Sequence, residues 1–543
     1  MKVLTTLAFF ALVLIFPNCS SKMEADAIFT HAQVYTVDSA FSTVESFAVK
    51  DGKILATGSS EEVLKKYRSS TVVDLDGKTV YPGFIDAHCH FYGYGAGLQE
   101  ADLTGAKSFE EVLQIVSEYA MSHKGSWIMG RGWDQNDWPQ KSFPDKSTLD
   151  KMFPDIPVML VRIDGHAALV NQKALDLAGI KPGMEIEGGS FVQANGKPTG
   201  MLIDMAIERV RSKIPPPSSG EIAEALLIAQ EKCFAVGLTS LHDAGLEKNV
   251  IETIKSLNQE GKLKMRIYGM LTPSDDNLSS YLYKGIYKTE HLNIRSIKLY
   301  ADGALGSRGA RMKAPYSDDP CNSGLWLTSP ETMKKMALLA DSFGYQVNTH
   351  CIGDDANHEV LKLYSEVLKT ANDKRWRIEH AQIVSAGDMD MFGKYNIVPS
   401  VQPTHATSDM YWAEDRIGKE RMTGAYAFKS LLAQNGWIPN GSDFPVESIN
   451  PVYGFFAATI RKDLKMMPGE GFQTDEALSR EEAMRAMTIW AAKAAFEENE
   501  KGSLEPGKFA DFVVCDRDIV TVPENEISGL KVEQTWLGGK RVF

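Results

Sequence analysis

Residues 27–80 alternate apolar and polar positions in short runs: Gln33-Val34-Tyr35-Thr36-Val37, Ser46-Phe47-Ala48-Val49, Lys53 to Gly58 and Val72 to Leu75. A period of two is the signature of half-buried strands, and Asp51-Gly52 is a strong hairpin turn signal. The C-terminal end repeats the character in residues 511–515 and 532–543. Two β-rich ends around a different middle predict one small β-sandwich domain built from both termini, residues 26–80 and 501–543. The middle, residues 81–500, alternates apolar runs with helical stretches such as 330–342 and 354–370, which predicts βα units and a parallel sheet. Eight candidate strands stand out: 80–90, 237–243, 265–271, 294–300, 345–350, 375–380, 397–402 and 437–443. Eight such repeats fit an α/β fold of the (β/α)8 TIM-barrel type. The interval from the first strand to the second is too long for one helix. Residues from about 93 to 217 therefore read as an inserted subdomain, with its own strand-like runs at 127–132 and 158–163 and a stiff end at Pro215-Pro216-Pro217.

The first residues follow a different logic. Met1-Lys2 precedes an apolar run from Val3 to Phe16 and then Pro17-Asn18-Cys19-Ser20-Ser21. A basic start, a short apolar run and a polar end read as an export signal, too short to span a bilayer comfortably. Residues 1–19 resemble a lipoprotein signal peptide with Cys19 as the lipidated residue, although Phe16 and Asn18 depart from the usual preference for Leu and a small residue. Plain signal cleavage is the alternative. The expectation is an exported chain at the cell envelope, lipid-anchored or periplasmic, touching the membrane only through that anchor.

Composition narrows the partners. The chain has 543 residues, 43% hydrophobic and 24% charged, which are globular proportions. Its 58 Lys+Arg against 71 Asp+Glu give a net charge of −13, which disfavours phosphate backbone and so nucleic acid. Beyond Cys19 the cysteines are Cys89, Cys233, Cys321, Cys351 and Cys515, with no CxxC spacing. They read as buried filler rather than a disulfide framework or thiolate zinc site.

The candidate chemistry lies in histidines that end candidate strands. His88-Cys89-His90 closes the first; strand side chains alternate, so both imidazoles face one side and can chelate one zinc. A lone HxH is weak, since such pairs also serve as ordinary hydrogen-bonding residues. Here His350 ends the fifth strand, His380 the sixth and Asp443 the eighth, while Lys298 sits on the fourth. TIM barrels place catalytic residues at the carboxyl ends of their strands, on one face. A buried lysine loses its charge readily and can then take up carbon dioxide as a carbamate able to bridge two metals. An ordinary Lys298–Asp302 pair is the competing reading. By alternation, Asp86 and Glu379 are expected to point away from the ligands beside them, and so to support the ligands from behind or to be structural.

These residues carry a family resemblance. Pro82-Gly83-Phe84-Ile85-Asp86-Ala87-His88-Cys89-His90 resembles the first-strand signature of the metal-dependent amidohydrolase superfamily. Gly132-Trp133-Asp134-Gln135, Asp164-Gly165-His166, Lys298 to Gly303, Thr349 to Asp354, Arg377 to Gln382 and Asn440 to Pro445 are similar, in order, to the branch that includes N-substituted formamide deformylases (amidohydrolase family 3). The resemblance implies a hydrolase of non-peptide C–N bonds acting on a small amide, an N-substituted formamide among them. It implies two zinc ions per chain, with manganese or iron(II) also suited: His88, His90 and Asp443 on one, His350 and His380 on the other, and carbamylated Lys298 between. A metal-bridging hydroxide would attack, and Asp443 would be the general acid and base.

Secondary candidates for substrate contact are Trp133, Asp134 and His166 in the insertion, His242 at the end of the second strand and His405 after the seventh. Aromatics Trp133, Trp138, Tyr300 and Trp412 suggest an apolar group on the substrate. A mononuclear zinc deaminase using His88, His90, His350 and Asp443 is the enzymatic alternative, and a non-catalytic barrel lipoprotein the other. A homodimer is compatible with the sequence.

Overall fold

The computed structural model describes residues 22–122, 125–163, 165, 167–186 and 189–543. Residues 1–19, expected to be an export signal ending at Cys19, and His166 lie outside the described residues.

Seven parallel strands form the barrel wall: β1 (Phe84–Cys89), β2 (Leu238–Leu246), β3 (Arg266–Leu271), β4 (Leu292–Tyr300), β5 (Gln346–Cys351), β6 (Arg377–His380) and β7 (Val398–Ser400). They pair in chain order, the arrangement expected of consecutive βα units. The eighth candidate strand, 437–443, does not form a ladder. Its one bridge is Asn440 to Val401, and it closes the wall by single bonds: Ala87 N to Asn440 O, Gly441 N to Val401 O and Asp443 N to His88 O at 2.7 Å. The reason is local. Gly441 passes so close to β1 that a Cβ there would lie 2.4 Å from the His88 backbone nitrogen. The Ser442 amide is taken by the Asp86 carboxylate instead of a neighbouring strand.

The insertion is an independent mixed sheet, ordered Ala101–Asp102, Ile128–Trp133, Val158–Arg162, Ala167–Val170, Lys197–Asp204, Gly189–Ala194. Its central strand shows why both faces are covered. Val158 and Leu160 belong to one apolar cluster, while Met159 and Val161 belong to another.

The two termini meet as expected. Phe512–Cys515 pairs antiparallel with Thr79–Pro82, placing the C-terminal sheet directly before β1. A second sheet (Lys53–Gly58, Ser46–Lys50, Ala27–Thr30, Val72–Asp74) packs on it through Phe29, Phe47, Phe512 and Trp536. Their ring centroids lie 4.8 to 5.4 Å apart. Arg266 on β3 reaches down to this sandwich and grips Asp511 with Nε and Nη2, at 2.7 and 3.1 Å. Cys89, Cys233, Cys351 and Cys515 are buried as filler, whereas Cys321 is exposed.

Candidate metal centre

The carboxyl ends of the strands bring seven of the candidate residues together. His88 is fully buried on β1, and His90 follows at its end with its side chain 32% exposed. His88 Nε2 lies 3.4 Å and His90 Nε2 3.2 Å from the same oxygen, Asp443 Oδ1. The His380 ring sits 5.0 Å from that of His88 and 4.4 Å from that of His350. His405, on the helix Pro403–Asp409 that starts just beyond β7, places its Nε2 3.7 Å from Asp443 Oδ2.

Two of these residues are aimed by unusual backbone. His380 and Asp443 both have left-handed φ values, 74° and 63°, which a non-glycine residue adopts at a cost of about 1–3 kcal/mol. At His380 the turn breaks strand alternation, so that adjacent residues both serve the site. Glu379 does not point away: its Oε2 accepts from His88 Nδ1 at 2.6 Å. Asp86 likewise stays at the site, accepting the His88 amide and the Ser442 amide and hydroxyl beside Asp443.

Behind the histidines lies a buried ionic layer. Arg377, fully enclosed, places Nε 2.7 Å from Glu379 Oε1 and donates through Nη2 to Glu379 Oε2, the Ala87 carbonyl and Ser400 Oγ. Burial alone would raise the Glu379 carboxyl, but Arg377 and His88 more than offset it and hold it well below the usual range. Burial and the neighbouring Lys298 push His88 down to about 4 and His350 to about 3, and burial takes His380 well below its ordinary value. These imidazoles are neutral at physiological pH, the form that binds metals. For Asp443 burial favours the acid, yet the surrounding imidazoles, His90 first, keep it ionised.

Lys298 is enclosed on β4, and burial brings its amine down to about 8. The competing Lys298–Asp302 pair is not formed: Asp302 accepts the backbone amides of Arg311, Ile352 and Gly353. Lys298 Nζ instead lies 3.2 Å from His88 Nε2 and 4.7 Å from the centre of the Tyr300 ring.

The donor set fits a divalent metal. His350 Nε2, His380 Nδ1, His405 Nε2 and Asp443 Oδ1 are all buried without a hydrogen-bond partner, an expensive arrangement unless a ligand completes it. Among the described residues, two groups have donor atoms all within 4.8 Å of one another, His88/His90/Asp443 and His380/His405/Asp443. Imidazole with carboxylate suits zinc, and also manganese or iron.

The remaining candidates lie elsewhere. His242 is fully buried, its Nδ1 3.0 Å from Arg377 Nη1, so it backs the ionic layer rather than lining open space. Trp133 is 1% exposed in the core of the insertion, its indole N–H on the Leu160 carbonyl, and Trp138 stacks on it there. Asp134 is engaged by Arg162. Of the four aromatics, Tyr300 and Trp412 remain near the mouth. Gly306 in the loop after β4 packs against Trp412, and Tyr300 lies 5.8 Å from His350, ring to ring. Sequence reading did not single out Arg377; the only available signal was two opposite charges at i and i+2 on a strand that ends in a candidate ligand.

Comparisons with known proteins bear on the whole chain. The chain is 34% identical to the protein LONG AFTER FAR-RED 3 of Arabidopsis thaliana, over 96% of this chain and 92% of that one. It is 27% identical to an N-substituted formamide deformylase of Arthrobacter pascens, over 95% and 97%. An uncharacterized metal-dependent hydrolase from Pyrococcus furiosus superposes with a TM-score of 0.79 at 28% identity, covering 91% of this chain and all of that one. Residues 71–543 match the profile of the amidohydrolase family, which takes in the whole barrel, the insertion and every residue of the centre. Strand order, a carboxyl-end cluster of neutral imidazoles and that match over most of the sequence place the chain in the amidohydrolase family, as a metal-dependent hydrolase.

Proposed function

We propose that the chain hydrolyses a non-peptide C–N bond in a small amide, with an N-substituted formamide the first substrate to try. The observation that carries the reading is the convergence of His88, His90 and Asp443 on one point, with the buried amine of Lys298 3.2 Å from His88 Nε2. The similarity to a formamide deformylase over nearly the whole length supports the choice of substrate class.

His88, His90 and Asp443 would hold one zinc ion, and further imidazoles around His380 a second. Zinc bound there would bring the pKa of water towards about 7 and polarise the carbonyl to be attacked. The chain supplies the rest. Glu379 fixes the His88 tautomer by accepting a hydrogen bond from Nδ1–H, leaving the Nε2 lone pair to bind metal. Asp443 is held ionised beside the cluster, placed to accept a proton and return it to the departing nitrogen; an amine leaves poorly unless protonated. Lys298, an amine with depressed basicity, is suited to react with carbon dioxide: its nitrogen bonds the carbon, a proton is released, and the carbamate oxygens gain metal-binding capacity. The N-terminal run and Cys19 support export and lipid anchoring of this activity at the cell envelope.

The test is a panel of N-substituted formamides, acylated amines and aminopurines, assayed with zinc-loaded chain and with Asp443→Asn. Release of amine from the amides, lost in the variant, supports the reading. Turnover of aminopurines alone would replace it with the deaminase alternative.

A further inference from the structure

Two buried carboxylates outside the proposed ligand set grip the backbone beside candidate ligands. Asp243, 2% exposed on β2, accepts the Phe91 amide on Oδ1 at 3.2 Å and the Tyr92 amide on Oδ2 at 3.1 Å. Asp302, fully enclosed two residues past β4, accepts the Ile352 amide on Oδ1 at 3.0 Å and the Gly353 amide on Oδ2 at 2.8 Å. Each carboxylate thus gives one oxygen to each of two successive amides. Those amides follow a candidate ligand, His90 or His350, within the next three residues. We infer that Asp243 and Asp302 are positioning residues, which set where His90 and His350 stand before a metal arrives. The inference rests on the proposed metal dependence and adds two residues that act only through the ligands.

The reason begins with helix ends. A helix leaves its first amides without partners, and a Ser, Asn or Asp just ahead of it normally satisfies one. This chain follows the rule at Ser218, Ser329 and Ser479, whose hydroxyls accept amides of their own helices. The helices after β1 and β5, Phe91–Gly97 and Asp354–Leu368, break it. Their cap positions are His90 and Gly353, and neither supplies a side-chain bond. A histidine ring turned to the metal centre leaves those amides uncapped. Glycine is required at 353, because a Cβ there would lie 1.9 Å from the Arg311 carbonyl oxygen. The missing acceptor therefore comes from the neighbouring strand, β2 beside β1 and β4 beside β5.

The tie reaches each ligand by a short path. The His90 carbonyl accepts the Tyr94 amide at 2.8 Å, so holding Phe91 and Tyr92 holds the first turn that starts on His90. At the other ligand the carboxylate also backs the ring itself, with Asp302 Oδ1 3.7 Å from His350 Nε2. The Arg311 amide on Asp302 Oδ2, at 2.8 Å, locks the loop after β4 to the loop after β5. Asp86 on β1 repeats the arrangement by taking the Ser442 amide just ahead of Asp443. Charge chemistry makes the carboxylate specific here. Asparagine would set a donor against one of the two N–H groups.

The test measures zinc affinity by competition with a chromogenic chelator, and the visible absorption of cobalt-substituted samples. It uses full-length wild type, Asp243→Asn, Asp302→Asn and Asp511→Asn, each checked by near-ultraviolet circular dichroism. Asp511 is the comparison, a buried carboxylate at the junction with the sandwich. Loss of an outer partner typically costs about 10–100-fold in metal affinity, and a drop of that size is expected for one zinc in each of the first two variants. Their cobalt bands should change, whereas Asp511→Asn should keep both affinity and bands. Unchanged affinities in folded Asp243→Asn and Asp302→Asn chains would overturn the inference, and so would an equal drop in Asp511→Asn. Should either variant fail to fold, hydrogen exchange of the metal-free wild type decides. Slow exchange at Phe91, Tyr92, Ile352 and Gly353 before zinc is added supports the inference; exchange there that slows only on zinc binding overturns it. A folded wild type that binds no zinc would instead remove the proposed metal chemistry, and the inference with it.

Discussion

Glu379 Oε2 lies 2.6 Å from His88 Nδ1, with both side chains fully excluded from solvent. A carboxylate buried this deeply is tolerated because Arg377 flanks it, and the trio fixes which His88 nitrogen looks into the barrel mouth. The centre therefore depends on a layer of residues that never approach the substrate.

Replacing Glu379 by Gln keeps the volume but weakens the grip on the His88 ring. Loss of such an outer partner typically costs 10–100-fold in metal affinity, and a drop of about that size is expected here. A zinc titration against a competing chromogenic chelator would measure it. Affinity unchanged within about twofold would mean that His88 is oriented by packing alone.

Arg377→Met tests the same layer through stability. The substitution leaves Glu379 buried without its cation and frees the Ala87 carbonyl and Ser400 hydroxyl. Removing one partner of a buried pair costs about 3–5 kcal/mol, so the metal-free chain should unfold at clearly lower urea concentration. If Glu379→Leu added to Arg377→Met recovers much of the loss, the penalty lay in the uncompensated charge.

Much of this was legible in the chain itself. Strand-length apolar runs ending in His88-Cys89-His90, His350 and His380 mark a barrel with its chemistry on one face, because the period of strands and the position of polar ends are local properties. Where local rules fail, reading fails with them. Alternation sends Glu379 away from the site, but the left-handed turn at His380 reverses that, and nothing in the residue type of His380 signals it. Residues 437–443 carry the apolar pattern of a strand, yet close packing of Gly441 on His88 leaves no room for a ladder. Trp133 belongs to a motif that carries the family resemblance, and its burial in the insertion depends on long-range packing against Trp138 and Leu160.

Lys298 carries a sharper prediction. Lys298→Ala removes the amine that would carry the carbamate, so zinc content should fall towards one per chain and activity by about a hundredfold or more. A short carboxylic acid such as acetate, entering the space left behind, should restore part of both. Full metal content and activity in the variant would assign Lys298 a structural role under Tyr300.

Metal removal should also be visible in stability. A ligand that binds only the folded chain stabilises it by about 2.7 kcal/mol when present at a hundredfold excess over its Kd. Dialysis against a chelator is therefore expected to lower Tm by several degrees, with recovery on adding zinc. His90→Ala should blunt the response, since His90 holds Asp443 Oδ1 from the open side of the centre.

The last prediction concerns the clamp between barrel and sandwich. Arg266 and Asp511 are 2% and 4% exposed and form a two-point ion pair, while Asp511 also accepts the Gly538 amide at 2.7 Å. Arg266 further donates to the Glu290 carbonyl and stacks over Phe509, 3.8 Å from the ring centre. Asp511→Ala leaves the guanidinium enclosed with one weaker partner, the half-exposed Glu290 carboxylate. The expected cost is about 3–5 kcal/mol, whereas breaking the exposed pair Lys50–Asp26 by Lys50→Ala should leave stability nearly unchanged. Chemical denaturation of both variants compares the two directly. Because Asp511 lies far from the metal ligands in the fold, zinc content of the folded Asp511→Ala chain should stay at the wild-type value. A fall in metal content at full folding would mean that the sandwich positions the barrel strands as well as securing them.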